Sequence, residues 1–113
     1  MLRAAVPRSF WRIVKHNPPE ESDFYSHTRR GLRPLGADGA EYDAVSVYDS
    51  LEGMRRAQRI SRIRGFIAEL RIPDDAPVRW EPEGPPGHHN LWGEPETLLS
   101  YVVLPLVSEG WWG

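Results

Sequence analysis

Gly65-Phe66-Ile67-Ala68-Glu69-Leu70-Arg71-Ile72-Pro73 is the stretch on which the fold turns. Aromatic and β-branched residues dominate it, and Glu69 and Arg71 alternate with Leu70 and Ile72. Glycine and proline bracket it, so it reads as a strand with one solvated side in its second half. Immediately upstream, Leu51 to about Ile63 predicts a helix, with Asp49 or Ser50 as its cap and Gly65 as its stop. Met54, Ala57, Ile60 and Ser61 share one side of it, while Arg55, Arg59 and Arg62 form a ridge on another. Ala44-Val45-Ser46-Val47-Tyr48, just before, predicts a short strand. A loop rich in Gly, Pro and Asp spans Arg33 to roughly Glu41.

Nearer the N-terminus, Phe10-Trp11-Arg12-Ile13-Val14-Lys15 is aromatic and β-branched and predicts another strand. Residues 17–31 predict a helix. Asn17 can cap it, Pro18 or Pro19 suits its first turn, Glu20 and Glu21 face the positive dipole end, and Arg29-Arg30-Gly31 supplies a cationic last turn and a glycine stop. Downstream of the central strand, Val78-Arg79-Trp80 predicts one more short strand, and Glu81 to Gly93 predicts a long loop rich in glycine and proline. Pro95 to Leu99 looks like a helix start, running into a final strand from Tyr101 to Val107. The expected fold is α+β: a small mixed or antiparallel β core with two main helices, one domain over residues 1–113 with its ordered core at about 10–107.

Composition bounds the function. The chain has 113 residues, 40% of them hydrophobic, and no cysteine, which points to one ordinary soluble domain without disulfides or thiolate zinc sites. At this length roughly 65% of the unfolded surface can be buried, enough for one core. The longest apolar run, Tyr101 to Leu104, falls far short of the roughly twenty residues that a membrane-spanning helix needs. The first residues lack the apolar segment of a secretory signal, so the expected location is cytoplasmic. Residues 1–73 hold 13 basic and 9 acidic groups, and residues 74–113 hold 1 and 7, so the two parts can complement each other. All basic residues but Lys15 are arginine, which suits planar recognition of phosphate or carboxylate and equally follows from a GC-rich genome.

No glycine-rich strand-to-helix turn and no phosphate-loop lysine occurs, which excludes P-loop and Rossmann chemistry. No serine sits in a glycine-flanked elbow. His88-His89 precedes Glu94 and Glu96, a set that could hold a divalent metal or belong to a solvated loop; no metal is expected. The cluster Arg55, Arg56, Arg59, Arg62 and Arg64 could track a nucleic-acid backbone, but the net charge of −2 favours an exposed helix face paired with the acidic C-terminal third. Arg12 is a cation inside an aromatic strand, expected where that strand lines a cleft or lies at an edge. In Glu94-Pro95-Glu96, two carboxylates two residues apart could divide catalytic roles, and the same triplet makes a good helix N-terminus.

The order of these pieces, from Phe10-Trp11-Arg12-Ile13-Val14 through Val45-Ser46-Val47-Tyr48-Asp49 to Gly65-Phe66-Ile67-Ala68-Glu69-Leu70, resembles the ADP-ribosyltransferase-like fold over roughly residues 10–104. The resemblance implies an NAD-consuming ADP-ribosyltransferase or NAD glycohydrolase. In the subclass with an arginine, a serine and a Glu-x-Glu element, Arg12 would contact the phosphate or ribose of NAD and Ser46 would shape the pocket floor. Tyr48 would stack on nicotinamide, Glu96 would hydrogen-bond the nicotinamide ribose, and Glu94 would lie near the acceptor. A carboxylate beside an oxocarbenium-like sugar is sound chemistry. The sequence departs from that pattern: Val47 and Tyr48 follow Ser46 where the subclass has Ser-Thr-Ser, and a proline interrupts the glutamates. Leu91-Trp92-Gly93-Glu94-Pro95-Glu96-Thr97-Leu98-Leu99 also resembles a segment of a group of short bacterial proteins, a likeness that carries no function. The alternative expectation is a non-enzymatic domain that binds a protein partner through Trp80, Trp92, Trp111 and Trp112.

Overall fold

Phe66–Ile72 is a strand, β3, and it pairs antiparallel with β1 (Arg8–Val14) in an unbroken register from Arg8 opposite Ile72 to Val14 opposite Phe66. The computed structural model describes residues 8–32 and 40–106. Within them β2 (Val45–Tyr48), β4 (Arg79–Pro82) and β5 (His88–Trp92) complete a sheet of order β3-β1-β2-β5-β4, antiparallel throughout. With α1 (Leu51–Ser61) and α2 (Pro95–Ser100) this is a small α+β fold.

The pleat puts alternate residues on opposite faces. Phe10 and Val14 of β1, Val45 and Val47 of β2, Leu70 and Ile72 of β3 and Leu91 of β5 meet in one buried cluster, closed from above by Phe24, Leu98 and Leu106. Trp80 of β4 packs edge-on to Phe10, with ring centroids 5.4 Å apart. The opposite face carries Ile13, Ser46, Tyr48 and Ile67, and α1 packs against β1 and β2. Ser50 caps α1, its Oγ accepting from the Gly53 N–H at 2.9 Å. Arg62 ends the helix in the left-handed conformation at φ 54°, three residues before Gly65, where the sequence suggests the stop. On α1, Met54 and Gln58 are the buried residues while Ile60 is 75% exposed, so the apolar stripe expected through Ile60 is shifted toward Gln58.

Three expectations differ from the structure. The helix expected over 17–31 is a single 3-10 turn, Glu21–Phe24, followed by a separate turn closed by Gly31 at φ 73°. The Asp23 carboxylate accepts from the backbone N–H groups of Lys15 and Glu20 at 2.8 and 2.9 Å, the second of these capping the 3-10 turn, and the chain leaves the helical region at Tyr25, φ −76° and ψ 132°. His88 and His89, expected in a long loop, lie in β5, and residues 83–87 form a short hairpin turn to β4. The expected strand from Tyr101 reduces to a bridge between Val102 and Leu70, flanked by Arg71 N–H donating to Tyr101 O and Val103 N–H donating to Glu69 O, each at 2.9 Å. Val107, Trp111 and Trp112 and most of the loop from Arg33 lie outside the described residues.

Gly65, which leads into β3, has φ +150°, and a Cβ there would stand 2.6 Å from Val14 O and 2.7 Å from Ile13 Cγ2. Both neighbours belong to the best-paired strand of the sheet, so relief is expensive. Gly65→Ala is expected to lower stability by about 2 kcal/mol, read by urea denaturation, and an unchanged midpoint would contradict the close approach.

Candidate functional site

β1 and β2 share only the pair Trp11 and Tyr48. Beyond it the strands part, and a groove of about 510 Å³ opens against Arg12 and Ile13 of β1, Ser46 and Tyr48 of β2, and Ala57 and Ser61 of α1. Arg12 bridges the parting. Its Nε donates to Asp23 O at 3.0 Å and its Nη1 to Ser46 O at 2.9 Å, so the guanidinium takes up two carbonyls, one on the neighbouring strand and one in the preceding loop. The Arg12 guanidinium also lies 5.9 Å from the Phe24 ring centroid. Burial, reinforced by the charge of Arg30 and opposed by Asp23, lowers its pKa to about 10, so it stays a cation at neutral pH. Arg12 therefore serves a cleft between two strands, one of the two settings the sequence leaves open.

Lys15, Arg30 and Arg64 also line this groove, against the carboxylates Asp23 and Glu83. Asp23 is committed elsewhere: its side chain is 2% exposed and holds the Lys15 and Glu20 N–H groups and His16 Nδ1, the last at 3.0 Å. Burial by itself would raise the Asp23 pKa, but the bonds from Glu20, Lys15 and His16 outweigh it and the net shift is downward. The lining thus sets Arg12, Lys15, Arg30 and Arg64 against Asp23 and Glu83 and carries more cations than carboxylates. Tyr25, Tyr42 and Tyr48 add aromatic surface, with the Tyr48 ring edge-on to His88 at 5.3 Å. His88 Nδ1 is hydrogen-bonded to Glu83 O and lies 3.7 Å from Glu83 Oε2, which sets this carboxylate at the groove's hairpin end.

Arg12, Ser46 and Tyr48, expected from separate strands, line the one groove. The glutamates do not join them. Glu94 precedes Pro95 at the start of α2 and borders a second, more open depression with Arg79 and Trp92, and Glu96 is exposed in the first turn of α2 and lines neither. The helix-start reading of Glu94-Pro95-Glu96 describes what the triplet does in the fold. Glu83, Asn90 and Asp23 carry no sequence signal comparable to a motif, although the Glu83-to-His88 hairpin turn could have been found from Gly84 and Gly87 at left-handed φ.

Among the described residues no three His, Cys, Asp or Glu side chains converge as a metal set, and His89 faces the core with its ring 5.2 Å from Phe10. No helix among them is long and apolar enough to cross a membrane. Trp80 and Trp92, expected as partner anchors, are engaged within the chain, Trp80 on Phe10 and Trp92 with the Arg79 guanidinium 4.1 Å from its ring centroid. Comparison of the chain with protein-family models, with curated proteins and with solved structures finds no match.

Proposed function

We propose that the groove binds NAD or a closely related nucleotide and breaks the bond between nicotinamide and ribose, as an ADP-ribosyltransferase or NAD glycohydrolase does. The observation that carries this reading is that one groove is lined both by cations, Arg12 with Lys15 and Arg30, and by aromatic rings, Tyr48 with His88 among them. A dinucleotide needs both: charge-assisted donors for phosphate and a flat surface for a ring. Glu83, its carboxylate 3.7 Å from His88 Nδ1, is the groove carboxylate suited to stabilise positive charge developing on the sugar. In the hydrolytic form the C–N bond breaks, its electron pair leaves with nicotinamide and neutralises the ring. Water then bonds to C1′ and releases one proton. In the transfer form an acceptor nucleophile takes the place of water.

Nicotinamide release from NAD, followed by chromatography, tests the reading. Glu83→Gln is expected to slow release by tenfold to a hundredfold while the variant keeps its melting temperature. Glu96→Gln run in parallel decides between the carboxylates, since loss with Glu96→Gln and not with Glu83→Gln would return the role to α2. No release by the unmodified protein, and no shift of its melting temperature by millimolar NAD, would remove the proposal.

A further inference from the structure

Two ladder pairs of the sheet place four side chains as a square on one face: Tyr48 opposite His88, and Ser46 opposite Asn90. Directly opposed residues of an antiparallel pair hold their Cβ atoms about 5 Å apart, and residues two apart on one strand share its face. The square therefore has two rings along one side and a hydroxyl and an amide along the other, and all four residues line the groove.

Asn90 is the unexplained member. It is 7% exposed, and its side chain makes no hydrogen bond to any described residue. Its amide atoms are not among the wholly buried unpaired ones, so they stay open, and an amide that bonds nothing in the protein is free to bond a ligand. Gln58 is the contrast: its Oε1 is wholly buried without a partner among the described residues, its Nε2 donates to Gly65 O, and it does not line the groove. An amide kept open toward a groove, next to a pair of rings, is suited to a planar ligand that carries its own donor and acceptor on one edge.

We infer that Asn90 is a specificity-determining residue that recognises a carboxamide on the ligand's ring, so that the groove takes nicotinamide-bearing nucleotides and rejects their nicotinate counterparts. The inference rests on the nucleotide reading above. A carboxamide matches Asn90 with one bond in each direction. A carboxylate accepts from the Asn90 NH₂ but sets a second, charged oxygen against the Asn90 carbonyl. Ser46 Oγ, across the ladder, can turn to donate or accept and supports either edge, which leaves the discrimination to Asn90.

Calorimetric titration of the whole chain with NAD and with nicotinic acid adenine dinucleotide tests this without any variant. The expected result is at least about tenfold tighter binding of NAD, since leaving a buried polar group unmatched costs about that much. Asn90→Leu is expected to bring the two affinities together, chiefly by weakening NAD. Asn90→Asp, an acceptor close in size to the amide it replaces, is expected to widen the gap by repelling the nicotinate. Equal affinities in the unmodified protein, or a preference that both Asn90 variants leave unchanged, would overturn the role of Asn90 while the nucleotide site stands. Binding of neither dinucleotide would overturn both readings.

Discussion

Asp23→Ala is expected to lower the unfolding free energy by about 4 kcal/mol, the largest effect of a single polar substitution in this chain. The carboxylate is nearly fully buried and is the partner of two backbone N–H groups, those of Lys15 and Glu20, as well as of His16. Truncation orphans both N–H groups at once, and the neighbouring Phe24, which closes the core, loses the turn that delivers it. His16 is half-exposed and returns to water at little cost. Urea denaturation at neutral pH measures the effect, and a loss below about 1 kcal/mol would mean that water replaces the carboxylate without penalty.

The same group sets an acid limb. Its pKa in the folded protein lies below the ordinary value of 3.8, so between the two the unfolded chain binds more protons. The stabilisation is therefore complete above the unfolded pKa and is lost as pH falls through the folded one. Asp23→Asn is expected to be less stable at pH 7 and to lose less on acidification below about pH 4 than the unmodified protein.

Arg12→Ala is the second large effect, and it acts on fold and site together. The guanidinium joins the carbonyl of Asp23 to that of Ser46 across the parting of β1 and β2, and bonds from a charged donor contribute about 1.5–3 kcal/mol each. Solvent reaches the carbonyls once the side chain is gone, which brings the expected loss to about 3 kcal/mol rather than the full sum. On the proposed nucleotide reading, NAD affinity is expected to fall about a hundredfold, the consequence of removing the most buried cation of the groove. Arg12→Lys separates the two contributions. A lysine keeps the charge but presents a point donor in place of a planar fork, so affinity should recover in part while stability does not. If Arg12→Ala bound NAD as well as the unmodified protein did, the phosphate end would lie elsewhere in the groove.

Much of the fold is legible in local sequence. The alternation of Phe66–Ile72, the Ser50 cap of α1 and the Pro95 start of α2 each rest on residues within one or two turns of each other, and the structure has each element. The helix expected at 17–31 shows where local reasoning stops. Its capping residues, acidic start and glycine stop are all present, yet the capping contact between Glu20 and Asp23 starts only a single 3-10 turn, and the backbone turns extended at Tyr25, φ −76° and ψ 132°. His88 and His89 show the converse. Glycine and proline on either side suggest a loop, but the residues between pair with both β2 and β4, and burial of Leu91 and His89 outweighs the flanking turn residues.

The sequence by itself determined the class of the fold, the strands that carry Arg12, Ser46 and Tyr48, and the helix that follows them, because periodicity, caps and breakers act over a few residues. Only the tertiary structure decided that β1 and β2 part after one pair, that Arg12 spans the opening, and that Glu83, His88 and Asn90 rather than Glu94 and Glu96 complete the groove. These depend on register between strands more than thirty residues apart in the chain. A shift of one position would turn every side chain of β5 to the other face, and no local pattern in the sequence encodes that choice.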